Sequence, residues 1–297
     1  MRRTATAFAA TLLLAGVGVG VAGPAAAKSS PPTANGHSIK TSPYVALGDS
    51  YSSAAGVNPL IPTAPPTCSR SALNYAHDIA AVTMPTSFTD VTCSGASTSD
   101  FFSSQAAGVA PQSAAVTKDT RLVTMTIGGN DEGVFADSFF GCASISSTDI
   151  LGNPCERTYG TMFTDEITAQ TYFHLVDVLN AVRAKAPAAT VVIIGYPEIL
   201  PATGSLACYP SMPISMGDVP WLHHQQDVLN DAVRRAASVT GARFIDMSAS
   251  STGHDACQPV GTRWIEPAVA PVNAYPVHPN ATGEAAMATQ TIRQLGL

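Results

Sequence analysis

Apolar residues along the chain form two kinds of pattern that follow one another. Five short, nearly continuous apolar runs are typical of buried strands: Tyr44–Leu47, Phe88–Val91, Leu122–Ile127, Thr190–Ile194 and Arg243–Ile245. Four longer segments carry apolar residues at spacings of three, four and seven, which is typical of amphipathic helices: Ser71–Val82, Asp165–Lys185, Trp221–Ser238 and Ala281–Gln294.

Strands that alternate with helices predict a parallel sheet with helices on both faces. We therefore expect an α/β fold, a single-domain, three-layer α/β/α sandwich whose central parallel sheet has about five strands. Ligands of such folds bind beside the carboxyl ends of the strands. Ser50, Gly95 and Asn130 each follow a predicted strand by a few residues, so we expect all three at one rim of the sheet.

Four short segments at the ends of predicted elements occur in an order that is informative. They are Gly48-Asp49-Ser50, Ser94-Gly95, Gly128-Gly129-Asn130-Asp131 and Val277-His278-Pro279-Asn280. With Ser, Gly, Asn and His in this order, the chain resembles the SGNH (GDSL) hydrolase family from Tyr44 to its end. It looks most like the secreted, three-disulfide lipases, esterases and phospholipases of actinobacterial type. The resemblance implies the flavodoxin-like fold of that family.

The four segments supply the residue types that acyl transfer requires. Ser50 is the candidate nucleophile and His278 the candidate base that takes its proton. The backbone N–H groups of Ser50 and Gly95 and the side-chain amide of Asn130 are candidate donors to an oxyanion. Taken singly, each residue is as well explained by a turn, and the lipase motif G-x-S-x-G is absent from the chain.

The segment before His278 lacks the acid that most family members have three residues upstream. Tyr275 occupies that position. We therefore expect a Ser–His dyad in which the backbone carbonyl of Tyr275 or Pro276 accepts the Nδ1–H of His278, as in some secreted actinobacterial relatives. A more distant acid, Glu266 or Asp255, stays open as an alternative.

The amino terminus predicts export. Residues 1–27 combine Arg2 and Arg3, an apolar run and Ala25-Ala26-Ala27, a pattern typical of a signal peptide rather than a membrane-spanning helix. Residues 28–42 are rich in Pro, Ser and Thr and predict a flexible lead-in, so residues 43–297 are the expected hydrolase domain. We expect a secreted, extracellular monomer without a stable membrane anchor.

Charge narrows the possible partners. Removal of residues 1–27 takes away two arginines and no acid, which changes the formal net charge from −6 to −8. An acidic protein without a basic cluster is a poor nucleic-acid ligand. We expect no nucleic-acid partner, no cofactor and no metal, and a lipid or small ester as substrate.

The even number of cysteines predicts disulfides in an exported protein, because that compartment is oxidising. The six cysteines have no C-x2-C spacing of the kind that zinc sites use, and the sequence alone leaves many pairings open. The family resemblance implies pairing in sequential order: Cys68–Cys93, Cys142–Cys155 and Cys208–Cys257.

The expected activity is hydrolysis of carboxylic esters of lipids. Five phenylalanines follow the Gly95 and Asn130 segments, and we expect some to line an acyl groove and the others to be core: Phe101, Phe102, Phe135, Phe139 and Phe140. Two alternatives stay open, a lipid- or glycan-binding module on an inactive hydrolase scaffold and a carbohydrate acetyl esterase. The presence of all four candidate residues argues against the inactive scaffold.

Overall fold

The structure, a computed structural model, describes residues 39–297, so the predicted signal peptide and most of the predicted lead-in lie outside the described residues. Five parallel strands form one sheet with the order β2-β1-β3-β4-β5. They are β1 Tyr44–Ala46, β2 Phe88–Asp90, β3 Leu122–Met125, β4 Thr190–Ile194 and β5 Arg243–Ile245. The parallel five-stranded sheet confirms the predicted fold class, and each predicted strand is present within two residues of its expected bounds.

Among the described residues, four of the five helices that have nine or more residues surround the sheet. They are α2 Tyr75–Thr83, α6 Tyr172–Lys185, α7 Val219–Thr240 and α9 Ala281–Leu295. Five further helices are α1 Ser50–Ser53, α3 Val134–Ile145, α4 Pro154–Tyr159, α5 Met162–Glu166 and α8 Ser248–Ser251. Within residues 39–297, no helix combines the length and the hydropathy that crossing a membrane requires.

Alternate residues of each strand pack against different helices. Val45, Val123 and Val191 are aligned in register across three strands and belong to a core that includes Leu179 of α6 and Val233 of α7. The neighbouring strand residues belong to a second core on the other face, with α2 and α9: Tyr44, Ala46, Leu122, Val192 and Ile194. Both faces of the sheet are therefore buried, and each fully buried Val or Leu contributes roughly 1.5–3 kcal/mol.

Two departures from the predicted helices have local causes. The predicted helix Asp165–Lys185 is interrupted by a π-helical segment, Ile167–Thr171, between α5 and α6. Ile167, Thr171 and Leu175 are all buried at spacings of four, and the wider turn keeps this spacing on one face. Helix α3 was not predicted, because Gly133 precedes it without a side-chain cap and its sequence lacks a clear amphipathic spacing.

A buried carboxyl group joins α9 to α2. Glu284 is fully buried, and its Oε2 accepts a hydrogen bond of 2.9 Å from the backbone N–H of Tyr75, the first residue of α2. Burial raises the pKa of Glu284 well above its ordinary value of 4.5. The folded protein therefore holds a proton that the unfolded chain releases above pH 4.5.

This proton predicts a pH-dependent effect of Glu284→Gln. Because the folded-state pKa is raised, the contribution of Glu284 to stability is present at low pH and is lost as the pH rises toward that pKa. The variant cannot titrate at this position, so its free energy of unfolding relative to wild type should rise between pH 5 and pH 8, by at most about 1.4 kcal/mol per pH unit. Urea unfolding of both proteins at several pH values measures this difference. A difference that is the same at every pH would contradict the prediction.

Candidate functional site

Ser50 lies at the carboxyl end of β1, as the first residue of α1. The turn before it requires glycine, because Gly48 has φ +122° and a Cβ there would lie 2.5 Å from the carbonyl oxygen of Thr126. Gln112 holds this turn from both sides: its Oε1 accepts from the Gly48 N–H at 2.7 Å and its Nε2 donates to the Gly48 carbonyl at 2.9 Å. Hydrogen bonds to both the N–H and the carbonyl of Gly48 thus fix the backbone beside the candidate nucleophile.

Asp49 holds the start of α1 and is 1% exposed. Its Oδ1 accepts a hydrogen bond of 2.9 Å from the Tyr51 N–H, and its Oδ2 accepts one of 2.6 Å from the Tyr196 hydroxyl. Burial raises the pKa of Asp49 from 3.8 to about 7, and the hydrogen bonds from Tyr196 and Tyr51 oppose this rise. These contacts give Asp49 a structural role in the turn before α1.

The structure brings the Gly95 and Asn130 segments together. The Asn130 side-chain amide donates to the carbonyl of Ala96 at 2.9 Å, one residue beyond Gly95. Asp131 makes a second link, because its carboxylate accepts from both the N–H and the hydroxyl of Thr98, at 2.8 and 2.7 Å. Gly95 itself has φ +77°, a conformation that glycine adopts without strain. One of the two N–H bonds of the Asn130 amide remains for a substrate oxygen.

His278 is oriented by a backbone carbonyl. Its Nδ1 lies 2.7 Å from the carbonyl oxygen of Pro276. A carbonyl only accepts hydrogen bonds, so Nδ1 carries the proton and Nε2 is left as the acceptor. The carbonyl of Tyr275, the other candidate, instead accepts from the backbone N–H of His278 at 3.2 Å. Desolvation lowers the pKa of His278 below 6.5, and the hydrogen bond to Pro276 opposes this shift.

Both distant acids are occupied elsewhere. Glu266 is 1% exposed and accepts hydrogen bonds from Arg263, Asn280 and the Val272 N–H at 2.6, 3.1 and 2.9 Å. Asp255 accepts from the Cys257 N–H at 2.9 Å and from Gln258 at 3.1 Å. Neither carboxylate is hydrogen-bonded to the His278 ring within the described residues, which favours the dyad.

Tyr51 places His278 beside the nucleophile turn. The Tyr51 hydroxyl donates to the carbonyl of Val277 at 2.7 Å, and the rings of Tyr51 and His278 lie 5.3 Å apart. The described residues include no hydrogen bond between Ser50 and His278. Hydrogen bonds between catalytic groups are often long or poorly aligned without substrate and tighten when substrate binds.

Two of the five phenylalanines line the site. Phe135 lies 5.8 Å from the His278 ring and 5.2 Å from the Phe139 ring, and both line an apolar cavity of about 30 Å³ that extends to Gly129 and Tyr196. The other three divide between the core and the surface: Phe101 is 2% exposed, Phe102 54% and Phe140 61%. A larger cavity of about 320 Å³, lined by residues such as Arg263 and Glu266, includes none of Ser50, Gly95, Asn130 and His278.

The three disulfides are Cys68–Cys93, Cys142–Cys155 and Cys208–Cys257, the pairing that the family resemblance implies. The first one supports the site, because Cys93 N–H donates to the Gly48 carbonyl and Ser94 N–H to the Cys68 carbonyl, both at 3.0 Å. Among the described residues, His, Cys, Asp and Glu side chains do not gather into a group that could bind a metal ion.

Three residues that hold the site were missed at the sequence level: Tyr51, Gln112 and Tyr196. Tyr51 follows Ser50 directly, and Tyr196 follows β4 by two residues, so their positions at strand ends were a usable signal. Gln112 is the first residue of a short 3₁₀ helix, Gln112–Ala115, and no signal in the sequence indicates its contact with Gly48.

Comparison with known proteins finds chains similar to this one among lipases and phospholipases. The model of the GDSL-like lipase/acylhydrolase family matches residues 46–286. Lipase 2 of Streptomyces coelicolor is 50% identical over 255 residues, which is 86% of each chain. Two solved structures are similar, each covering 86% of this chain and 100% of the other: phospholipase A1 from Streptomyces albidoflavus NA297, with TM-score 0.71 and 31% identity, and the extracellular lipase from Streptomyces rimosus, with TM-score 0.69 and 30% identity.

The orientation of His278 predicts its titration. Without a carboxylate partner, the hydrogen bond to the Pro276 carbonyl offsets only part of the desolvation that disfavours the imidazolium. We expect the His278 imidazole signals in an NMR titration, assigned by their loss in His278→Gln, to have a midpoint below 6.5. A midpoint above 6.5, as a carboxylate-paired histidine would show, would indicate a triad instead.

Proposed function

The chain belongs to the GDSL-like lipase/acylhydrolase family, and from this premise we propose that it is a secreted lipase or esterase that forms an acyl-enzyme on Ser50. Its carboxylic ester hydrolase activity follows from the relatives that are lipases or a phospholipase A1. The observation that carries the mechanism is the hydrogen bond from His278 Nδ1 to the Pro276 carbonyl. It leaves Nε2 able to accept a proton beside the Gly-Asp-Ser turn.

The proposed reaction begins with the Ser50 hydroxyl. Its oxygen attacks the ester carbonyl carbon while His278 Nε2 takes its proton. The negative charge that develops on the carbonyl oxygen is stabilised by the N–H groups of Ser50 and Gly95 and by the Asn130 amide. His278 then donates its proton to the departing alcohol. Water, activated by the same histidine, releases the acid and restores Ser50.

The Pro276 carbonyl replaces one of the two functions of a triad acid in full and the other only in part. It selects the tautomer in which Nε2 is the base, as the acid does in a triad. It carries only a partial negative charge, so it stabilises the imidazolium less than a carboxylate would. The oxyanion donors therefore supply a larger fraction of the transition-state stabilisation than in a triad enzyme.

The proposed substrate is an ester of a lipid. The wall beside His278 is apolar, with Phe135 next to the ring and Phe139 packed against Phe135, so an acyl chain gains free energy there by leaving water. The names of the relatives, lipases and a phospholipase A1, support the same substrate class.

We also propose that residues 1–27 are removed on export and that residues 43–297 form the hydrolase domain. Three disulfides are typical of proteins in oxidising compartments. The similar lipase from Streptomyces rimosus is extracellular. The acidic net charge gives no support to a nucleic-acid partner.

A covalent inhibitor tests the nucleophile. An organophosphate should phosphorylate the activated serine, and mass spectrometry of the digested protein should place the adduct on Ser50. Ser52, which is fully buried in the same helix and hydrogen-bonded to Tyr75, serves as the internal control and should stay unmodified. An adduct on another serine with Ser50 untouched would refute the mechanism.

Substitutions test the dyad. His278→Ala should lower kcat/KM on a soluble ester by about 10²–10⁴-fold, because the general base is lost. Asp255→Asn and Glu266→Gln should each cost less than about tenfold, since neither sets the histidine tautomer, whereas loss of a triad acid costs about 10⁴. Tyr275→Phe is the matched mild control.

Circular dichroism must confirm folding of each variant, above all of Glu266→Gln, which breaks a buried ion pair with Arg263. A folded acid variant whose activity falls to the level of His278→Ala would establish a triad and overturn the dyad.

A further inference from the structure

Tyr196 connects three strand ends. It follows β4 by two residues and is 4% exposed. Its hydroxyl donates to Asp49 Oδ2 at 2.6 Å and accepts from the Gly129 N–H at 2.8 Å. Because β3 lies between β1 and β4 in the sheet, the phenol reaches across the end of β3 to the nucleophile turn.

The direction of these two hydrogen bonds is determined. The Gly129 N–H can only donate, so the Tyr196 oxygen accepts there. The ionised form of Asp49 can only accept, so the single proton of the Tyr196 hydroxyl is directed to its Oδ2. Asn230 fixes the Tyr196 backbone, because its side chain accepts from the Tyr196 N–H at 2.8 Å and donates to the Tyr196 carbonyl at 2.9 Å. The Tyr196 hydroxyl is therefore positioned by the hydrogen bonds to the Tyr196 backbone as well as by its own two hydrogen-bond partners.

The glycine at position 129 is explained by this contact. A Cβ at Gly129 would lie 3.0 Å from the Tyr196 hydroxyl oxygen, closer than almost all such contacts in proteins. The carbonyl of Gly129 is also engaged, since it accepts from the Phe135 N–H at 3.0 Å. The peptide groups on both sides of Gly129 are thus fixed one residue before Asn130.

We propose that Tyr196 is a positioning residue that holds the Gly129–Asn130 segment at a set distance from Ser50, so that the Asn130 amide meets the developing oxyanion. Tyr196 does not contact the reacting atoms in this role. The proposal rests on the proposed function of Ser50 and Asn130. A displacement of about 1 Å in such a donor can cost about 100-fold in rate, so a hydroxyl remote from the substrate can still control the reaction.

Tyr196→Phe tests the bridge, with Tyr44→Phe as its matched control. Tyr44 is also buried, and its hydroxyl pairs with Thr124 at 2.7 Å, on the opposite face of the sheet from the Tyr196 core. We expect Tyr196→Phe to lower kcat by about 10- to 100-fold with KM within about twofold. We expect Tyr44→Phe to keep kcat within about twofold while losing comparable thermal stability.

Two further measurements make each outcome decisive. The Gly129 amide resonance in a ¹⁵N–¹H NMR spectrum should shift in Tyr196→Phe and stay in place in Tyr44→Phe, whatever the activity. If Tyr196→Phe does not fold, Asp49→Asn replaces it: the asparagine can satisfy either the Tyr51 N–H or the Tyr196 hydroxyl as acceptor but not both, and kcat should again fall.

Unchanged kcat in a folded Tyr196→Phe, or equal losses of kcat in both tyrosine variants, would overturn the positioning role. Ser50→Ala in the same assay separates this failure from failure of the proposed function, because retained activity in Ser50→Ala would contradict the nucleophile and leave the amide shift as the test of the bridge.

Discussion

Asp49 is a carboxyl group excluded from water at the end of β1, and a buried polar group of this kind must find its hydrogen-bond partners inside the protein. One donor is the Tyr51 N–H at the start of α1, and the other is the Tyr196 hydroxyl beyond β4. Satisfying this one group joins two loops that the sheet alone would leave independent. The position of Ser50, between Asp49 and Tyr51, follows from it.

Further hydrogen bonds connect the other loops of the site to these two. Tyr196 is hydrogen-bonded to Gly129, the Asn130 amide to the Gly95 segment, and the Tyr51 hydroxyl to the carbonyl beside His278. Parallel strands bring all these loops to one edge of the sheet. The hydrogen bonds between the loops then set the distances within that edge, which the strands do not determine.

Much of this arrangement could be predicted from the sequence, because it depends on local patterns. The five strands were identified by their apolar runs, and the candidate residues Ser50, Gly95 and Asn130 by their places just after three of them. Side-chain contacts between distant loops have no such signal: Gln112 meets Gly48 across 64 residues and Tyr196 meets Asp49 across 147. The choice between Tyr275 and Pro276 also needed the structure, since it depends on how the loop turns before His278.

The most direct test is a crystal structure of the protein after reaction with an organophosphate, whose phosphoryl oxygen stands in for the oxyanion of the ester reaction. We predict that phosphorus is bonded to Ser50 Oγ. The phosphoryl oxygen should lie within about 3 Å of the Ser50 and Gly95 N–H groups and of Asn130 Nδ2. His278 Nδ1 should still donate to the Pro276 carbonyl. A phosphoryl oxygen that points away from Gly95 and Asn130, or a carboxylate in place of Pro276 at Nδ1, would contradict the account.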